Sequence, residues 1–291
     1  MILALVFLGI FVLLWGIFSL TLPALRHGGR LAAAVIARNM RVHKFVTSTH
    51  ERFRDYIPIL ILIVAGAALT AWSGDAFVDM AERLHEQGGK LHFVDTYVHD
   101  AAVQQRTNGA TEFFAAMSQI GGPYGVGATL VVVGVVLLVK GRRRWFIYLA
   151  VTAGGGALLN LELKHHFART RPDVAEMLRR AHGFSFPSGH AMGSTVAYGA
   201  LAYLAVRALK SWRWKSAALA FAITFVAAVA ASRVYLGVHW ISDVGAGITA
   251  GTVWVAFTTV AYETLRRIRL LRELRRRAAL HAAQDPAVVG P

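Results

Sequence analysis

Stretches of about 17 to 22 residues that carry almost no charge recur along this chain. They lie at 57–73, 124–139, 145–163, 189–207, 214–232 and 241–262, with a further one at 2–22. Each is long enough, as a helix, to cross the roughly 30 Å hydrocarbon core of a bilayer. Backbone groups in hydrocarbon have no water to bond, so a segment of this length must satisfy them internally as a helix. The expected fold is therefore all-α: a polytopic membrane helical bundle with a six-helix core and an extra N-terminal helix. A hydrophobic share of 56% and a charged share of 16% over 291 residues agree with it.

The net charge of +15 is distributed unevenly. Segments 26–54, 140–144, 207–215 and 266–277 hold seven, four, four and seven Lys/Arg, which is 22 of the 31 basic residues. Alternating helices put all four segments on one side, and the positive-inside rule makes that side cytoplasmic. The 74–123 connection holds seven acids against three bases and falls outside. Basic clusters beside spans are a topological signal with anionic-lipid contact, so no nucleic-acid partner is expected. The expected location is the cell (plasma or inner) membrane, crossed several times. With no cysteine in the sequence, disulfides, zinc-thiolate sites and a cysteine nucleophile are excluded.

The 2–22 stretch lacks a basic leader and a clear small-residue cleavage site, and Arg26 and Arg30 follow it. A helix with its N-terminus outside fits these charges; an interfacial helix is the alternative. Residues 26–56 read as a basic, partly helical cytoplasmic segment, and the tail after Leu280, with Pro286, as disordered. Amphipathic patterns around Phe77–Leu84 and Phe93–Val103 fit either helices on the membrane surface or a helical lid or spacer with no chemistry. Gly121-Gly122-Pro123 marks a turn entering a helix. Gly154-Gly155-Gly156 and the Gly247/Gly251 pair sit inside spans, where small residues let helices approach closely. No Lys-Ser/Thr follows either cluster, which argues against a nucleotide-binding loop.

Three polar blocks stand at the outer ends of the later spans. The first runs from Lys164 through Arg171 to Pro172, the second is Pro187-Ser188-Gly189-His190, and the third runs Ser232-Arg233, His239, Asp243. Helix alternation brings all three to one face. Ionisable groups at a membrane are expensive and usually functional. His239 and Asp243 are four apart, so a helix puts them on one face, where the carboxylate holds one ring nitrogen and leaves the other as a lone pair.

Taken as a set, Lys-x6-Arg-Pro, Pro-Ser-Gly-His and Ser-Arg-x5-His-x3-Asp resemble the three-part signature of the type 2 phosphatidic acid phosphatase superfamily, the lipid phosphate phosphatases, in its bacterial integral-membrane branch. The resemblance covers roughly residues 57–262. It implies that Lys164, Arg171, Ser188, Gly189 and Arg233 bind the phosphoryl group. Three cations and a helix N-terminus suit a phosphate ester. It further implies that His239 attacks phosphorus to give a phosphohistidine, that Asp243 fixes its tautomer, and that His190 protonates the leaving alkoxide and then activates water. No metal or other cofactor is expected. On this reading 1–56 is an N-terminal membrane helix with a basic cytoplasmic segment, 57–265 the lipid phosphatase membrane domain, and 266–291 a basic cytoplasmic tail.

The implied substrate is a lipid phosphate or pyrophosphate of the undecaprenyl pyrophosphate, phosphatidylglycerophosphate, phosphatidic acid or lipid A type, met on the extracytoplasmic face. Neither a substrate among these nor an oligomeric state follows from the sequence. A phosphotransferase on the same site and a non-catalytic lipid or anion transporter are the alternatives. Transporters place polar groups near the midplane and often carry repeats, whereas here the groups gather at one boundary. A vanadium haloperoxidase shares the signature, but those enzymes are largely soluble. His165, His166, Arg169, Arg179, Arg180 and His182 read mainly as solvated or headgroup-facing, and Trp145, Trp212, Trp214 and Trp240 as an interfacial belt.

Overall fold

A computed structural model describes residues 2–37, 57–85, 89–172, 177–179 and 181–284. The described residues form helices and short connections, with no strand among them. The helices are α1 (Ile2–Ala37), α2 (Ile57–Glu82), α3 (Lys90–Gln104), α4 (Asn108–Ile120), α5 (Pro123–Val139), α6 (Arg143–Phe167), α7 (Gly189–Ala208), α8 (Trp212–Tyr235) and α9 (Ile241–Gln284). All seven apolar stretches are helical. Of the basic segment expected at 26–56, residues 38–56 lie outside the described residues, as does the tail from 285. The stretch expected to be disordered after Leu280 is helical as far as Gln284.

Helices α1, α2, α6, α8 and α9 are long and apolar enough to cross a membrane, and α4 with α5 makes a sixth such element bent by 47°. The bend falls at Gly121-Gly122, where the glycine-proline run predicts a turn. Pro123 opens α5 at a position where its missing N–H costs nothing. Helix α7 is less apolar than these over the length of a span, for a physical reason. It packs against α6, α8 and α9 at the centre of the bundle, so little of it would face lipid. Its buried positions include Ala191, Ser194, Ala197, Ala200 and Ala202. Small side chains let its neighbours come close: a Cβ on Gly247 of α9 would stand 2.7 Å from the Ser188 carbonyl oxygen.

Two features set the end of the bundle that carries the three blocks. Phe77 and Leu84 do not lie on a surface as the amphipathic pattern predicts; α2 continues through Phe77, and both pack around buried Ala81, Phe186 and Ala246. Nor is α3 a spacer, since it turns Asp95 and His99 inward and packs Val98 and Ala102 beside the starts of α7 and α9. At the opposite end, buried Glu263 of α9 accepts from Tyr203 of α7 at 2.5 Å and pairs with Arg207 at 3.3 Å, tying those ends of the two helices together. Helix α1 packs on α8: Phe7 stacks on Phe113 of α4, and the Trp15 indole donates to the Arg213 carbonyl.

Candidate active site

Helix α8 ends in a way that fixes the third block. The Gly237 N–H donates to the Val234 carbonyl, the Val238 N–H donates to the Arg233 carbonyl, and Gly237 takes φ +72°. This is a Schellman closure, and the left-handed residue it needs is the glycine. It leaves Arg233 on the last turn of α8 and swings His239 back over the site, two residues beyond the glycine. Helix α9 then starts at Ile241. Asp243, in its first turn, accepts the Trp240 N–H at 3.0 Å in the manner of a capping box. Asp243 thus caps the helix and meets the imidazole with one and the same oxygen. That Oδ2 lies 3.3 Å from His239 Nδ1.

The partners of His239 fix its proton. Nδ1 faces a carboxylate, which only accepts, so Nδ1 carries the hydrogen. Nε2 lies 3.2 Å from Arg171 Nη1, which only donates, so Nε2 presents its lone pair. His239 is 2% exposed and Asp243 0%. Burial pushes the His239 imidazole down from 6.5 to about 4; Asp243 opposes the shift, and Arg171 and Arg233 add to it. Burial also lowers the Arg171 guanidinium from its ordinary value, again against Asp243.

The three blocks are tied to one another. Arg171 of the first reaches His239 of the third, and its Nη1 also donates to the Val238 carbonyl at 2.7 Å. The Ser188 N–H of the second donates to the Asp243 carbonyl at 2.9 Å. A Cβ on Gly189 would stand 3.6 Å from Lys164 Cε and 3.0 Å from Asn160 Oδ1, so the start of α7 lies directly against α6. Ser188, Gly189 and His190 open α7, where N–H groups point away from the helix body and a dipole favours anions. The Ser188 hydroxyl is buried and makes no hydrogen bond. His190 fits beside the α4–α5 bend, its Nε2 2.9 Å from where a Cβ on Gly122 would be. It feels the charges of Arg233, His239, Arg171 and Lys164.

The cations are held by neutral oxygens. Lys164 Nζ donates to the Phe184 carbonyl at 2.7 Å; Arg171 donates to the carbonyls of His182, Gly183 and Phe184. Arg233, 6% exposed, donates to Ser118 Oγ of α4, and its Nε has no partner. An anion with several oxygens could accept from these groups more strongly than a carbonyl does.

Four residues of the site escape sequence reasoning: Asp95, Ser118, Arg169 and Ser242. Arg169 reads in the sequence as one more loop cation, yet it bridges two buried carboxylates. Its Nη1 donates to Asp243 Oδ1 at 2.6 Å and to Ser242 Oγ at 2.8 Å, and its Nη2 donates to Asp95 Oδ2 at 2.8 Å. Trp240 belongs to this cluster more than to an interfacial belt, since its ring lies 5.7 Å from the Arg169 guanidinium and 5.4 Å from His99. The available signal is the polar pair Asp95 and His99, four apart on the apolar face of an amphipathic segment. Of the other loop residues, His165 and His166 pack edge-on against Phe184 and Phe167, and His182 contributes its carbonyl. Arg179 is exposed yet lies within electrostatic range of Arg233; Arg180 is outside the described residues.

Residues 144–267, which contain all three blocks, match the model of the PAP2 superfamily. The chain is 30% identical over 196 residues to phosphatidylglycerophosphatase B of Bacillus subtilis, covering 66% of this chain and 94% of that protein. It is 30% identical over 148 residues to an undecaprenyl-diphosphatase of Sulfolobus acidocaldarius, 49% of this chain and 67% of that one. It is 33% identical over 129 residues to a decaprenylphosphoryl-5-phosphoribose phosphatase of Mycobacterium tuberculosis, 42% of this chain and 63% of that one. Its fold is similar to the crystal structure of a transmembrane PAP2-type phosphatidylglycerolphosphate phosphatase from Bacillus subtilis, with a TM-score of 0.61 and 27% identity over 68% of this chain and 96% of that one. With nearly the whole of the Bacillus protein covered at this identity, and the motif blocks gathered at one end of a helical bundle, the chain belongs to the PAP2 superfamily.

Proposed function

We propose that the chain is an integral-membrane lipid phosphatase that hydrolyses a terminal phosphate from a lipid phosphate or pyrophosphate through a phosphohistidine. One observation carries the reading: a buried imidazole held by a carboxylate at Nδ1 presents its Nε2 lone pair to a guanidinium, with two further cations and a helix N-terminus around it. Relatives named for a phosphatidylglycerophosphate, an undecaprenyl diphosphate and a decaprenylphosphoryl sugar phosphate support a lipid substrate with a terminal phosphoryl group.

The chemistry follows from these positions. Lys164, Arg171, Arg233 and the amides that open α7 bind the phosphoryl oxygens and neutralise the charge that would repel a nucleophile. His239 Nε2 attacks phosphorus as the ester or anhydride oxygen leaves, and His190 gives that oxygen a proton. Asp243 holds the Nδ1 hydrogen and stabilises the cationic phosphoimidazole. Neutral His190 would be left after that donation, and it takes a proton from water as the water attacks the phosphohistidine. Phosphate is released, His239 is neutral again and His190 is reprotonated. Residues 57–265 carry this machinery in a cell membrane, the site faces outward, and the basic segments, the tail 266–291 included, face the cytoplasm.

The test is phosphate release by the purified full-length chain in detergent, on a panel of lipid phosphates at equal surface concentration. Activity indifferent to a chelator and blocked by vanadate is expected; a strict requirement for magnesium would overturn the cation-only site. Radiolabelled phosphate should be trapped on histidine in the wild type, and His239→Ala should lose at least about 10³-fold in kcat. Turnover surviving in that variant would place the nucleophile elsewhere.

A further inference from the structure

The buried carboxylate of Asp95 sits on α3, outside all three blocks and outside the matched region 144–267. It is 1% exposed, and both of its oxygens accept hydrogen bonds. Oδ1 accepts the Ser242 N–H at 3.0 Å; Oδ2 accepts the Ser242 hydroxyl at 2.7 Å and Arg169 Nη2 at 2.8 Å. Through both partners the contacts lead to Asp243. Ser242 is its chain neighbour in the first turn of α9, and Arg169 holds its Oδ1 at 2.6 Å.

A helix start needs acceptors for its first N–H groups, usually from the residue just before it. The Trp240 side chain has no oxygen to offer, and Asp95 supplies an acceptor from another helix. Asp243 has its own geometry to keep. Oδ2 must face His239 Nδ1 while Oδ1 is turned away, and Arg169 is what turns it. A guanidinium shared between two carboxylates has a fixed fork, so the position of Asp95 sets the rotation of Asp243. Burying two carboxylates is costly unless each is paired and hydrogen-bonded, and breaking such a pair by removing one member is strongly destabilising. An arrangement of this kind holds one geometry tightly, which an imidazole aimed at phosphorus requires.

We infer that Asp95 is a positioning residue of the catalytic apparatus: through Arg169 and Ser242 it holds the Asp243 carboxylate against His239, so an outer helix that lies outside the signature blocks sets the aim of the nucleophile. The inference rests on the reading of His239 as nucleophile. It also gives α3 a specific role as the outer anchor of the site.

The experiment is a double-mutant cycle on the full-length protein in detergent, with a short-chain phosphatidic acid as substrate. Asp95→Ala and the near-isosteric Asp95→Asn are each made in wild type and in Asp243→Asn. Asp95→Ala is expected to lower kcat about 10- to 100-fold with KM within about twofold, since Asp95 does not reach the phosphate. In the Asp243→Asn background the same change should cost less than about twofold further, because the group it acts through is already gone. Should Asp95→Ala fail to fold, Asp95→Asn carries the cycle, with a smaller loss in the same pattern. Fully additive losses, or wild-type kcat in folded Asp95→Asn and Asp95→Ala, would overturn the inference. Phosphohistidine trapping runs alongside. Its absence from wild type would sink the nucleophile assignment instead, while its presence with additive losses would sink only the role of Asp95.

Discussion

At the scale of single residues, the site gathers polar groups that burial makes costly, and hydrogen bonds to its neighbours hold the His239–Asp243 pair in one state. His239 illustrates the consequence. Its folded value of about 4 lies below the ordinary 6.5, so between these pH values an unfolded chain takes a proton that the folded chain refuses. Stability contributed by this residue is therefore lost as pH falls from 6.5 toward 4, and the loss is complete below it. Nitrogen-15 spectra of histidine-labelled protein should show the His239 ring neutral, with hydrogen on Nδ1, down to about pH 5. A ring titrating near 6.5 would contradict the buried pairing. Ser118 gives a second outcome. Ser118→Ala strips Arg233 Nη1 of its acceptor, and a lost hydrogen bond to a charged group costs about 1.5 kcal/mol, so kcat/KM should fall about tenfold. The legibility of these residues follows chain distance. His239 and Asp243 are four apart and readable as a pair, whereas Asp95 and Arg169 are 74 apart, and only the packed helices put them together.

At the scale of elements, two backbone features set the distances between blocks. Gly237 lets α8 close on itself and return His239 toward Arg233. A side chain in the left-handed region costs about 1–2 kcal/mol, so Gly237→Ala should lower the thermal midpoint and, because the strained turn is adjacent to His239, lower kcat as well. A variant with an unchanged midpoint and kcat would mean that the turn tolerates a side chain. The bend between α4 and α5 does the equivalent for His190. On Gly122 a Cβ would meet the Ser118 carbonyl oxygen at 2.8 Å and His190 Nε2 at 2.9 Å, contacts too short to keep. Gly122→Ala is expected to push the ring aside and cost turnover more than substrate binding, read as a fall in kcat with KM little changed. The run Gly121-Gly122-Pro123 signals the bend in the sequence, whereas the turn at Gly237 becomes visible only in the fold. The sequence misleads on α2, because amphipathic periodicity identifies an apolar face without saying whether lipid or protein covers it. Protein covers Phe77 and Leu84 through Phe186 and Ala246, and Val98 and Ala102 of α3 through the starts of α7 and α9, while Phe93, Val94 and Tyr97 of α3 stay exposed.

At the scale of the whole molecule, the six-helix core and its extra helix are legible because hydrocarbon imposes one length and one backbone solution on every crossing. Helix α7 shows where that logic weakens. Enclosed by protein on three sides, it has no need of the apolarity that lipid demands, and its Ser, His and Gly positions serve the site instead. The chemistry lies at one end of the bundle, and among the described residues the basic segments 140–144, 207–215 and 266–277 lie at the other. Glu263 with Tyr203 and Arg207 closes the basic end, and α9, with 44 residues and so about 66 Å of helix, runs far past a bilayer core of about 30 Å. Its surplus carries the seven arginines of 266–277, which gives the bundle a strong preference for one orientation. Phe7 beside α4 and Trp15 beside the Arg213 end of α8 make α1 antiparallel to α8, so the residue-2 end of α1 lies on the side of the site. Reporters inserted at Gly141 and fused after residue 284 should therefore read cytoplasmic. A reporter in the 177–179 connection should read external, as should a tag at the N-terminus. An external C-terminus would invert the site face, and an internal N-terminus with the rest in place would make α1 an interfacial helix instead of a crossing one.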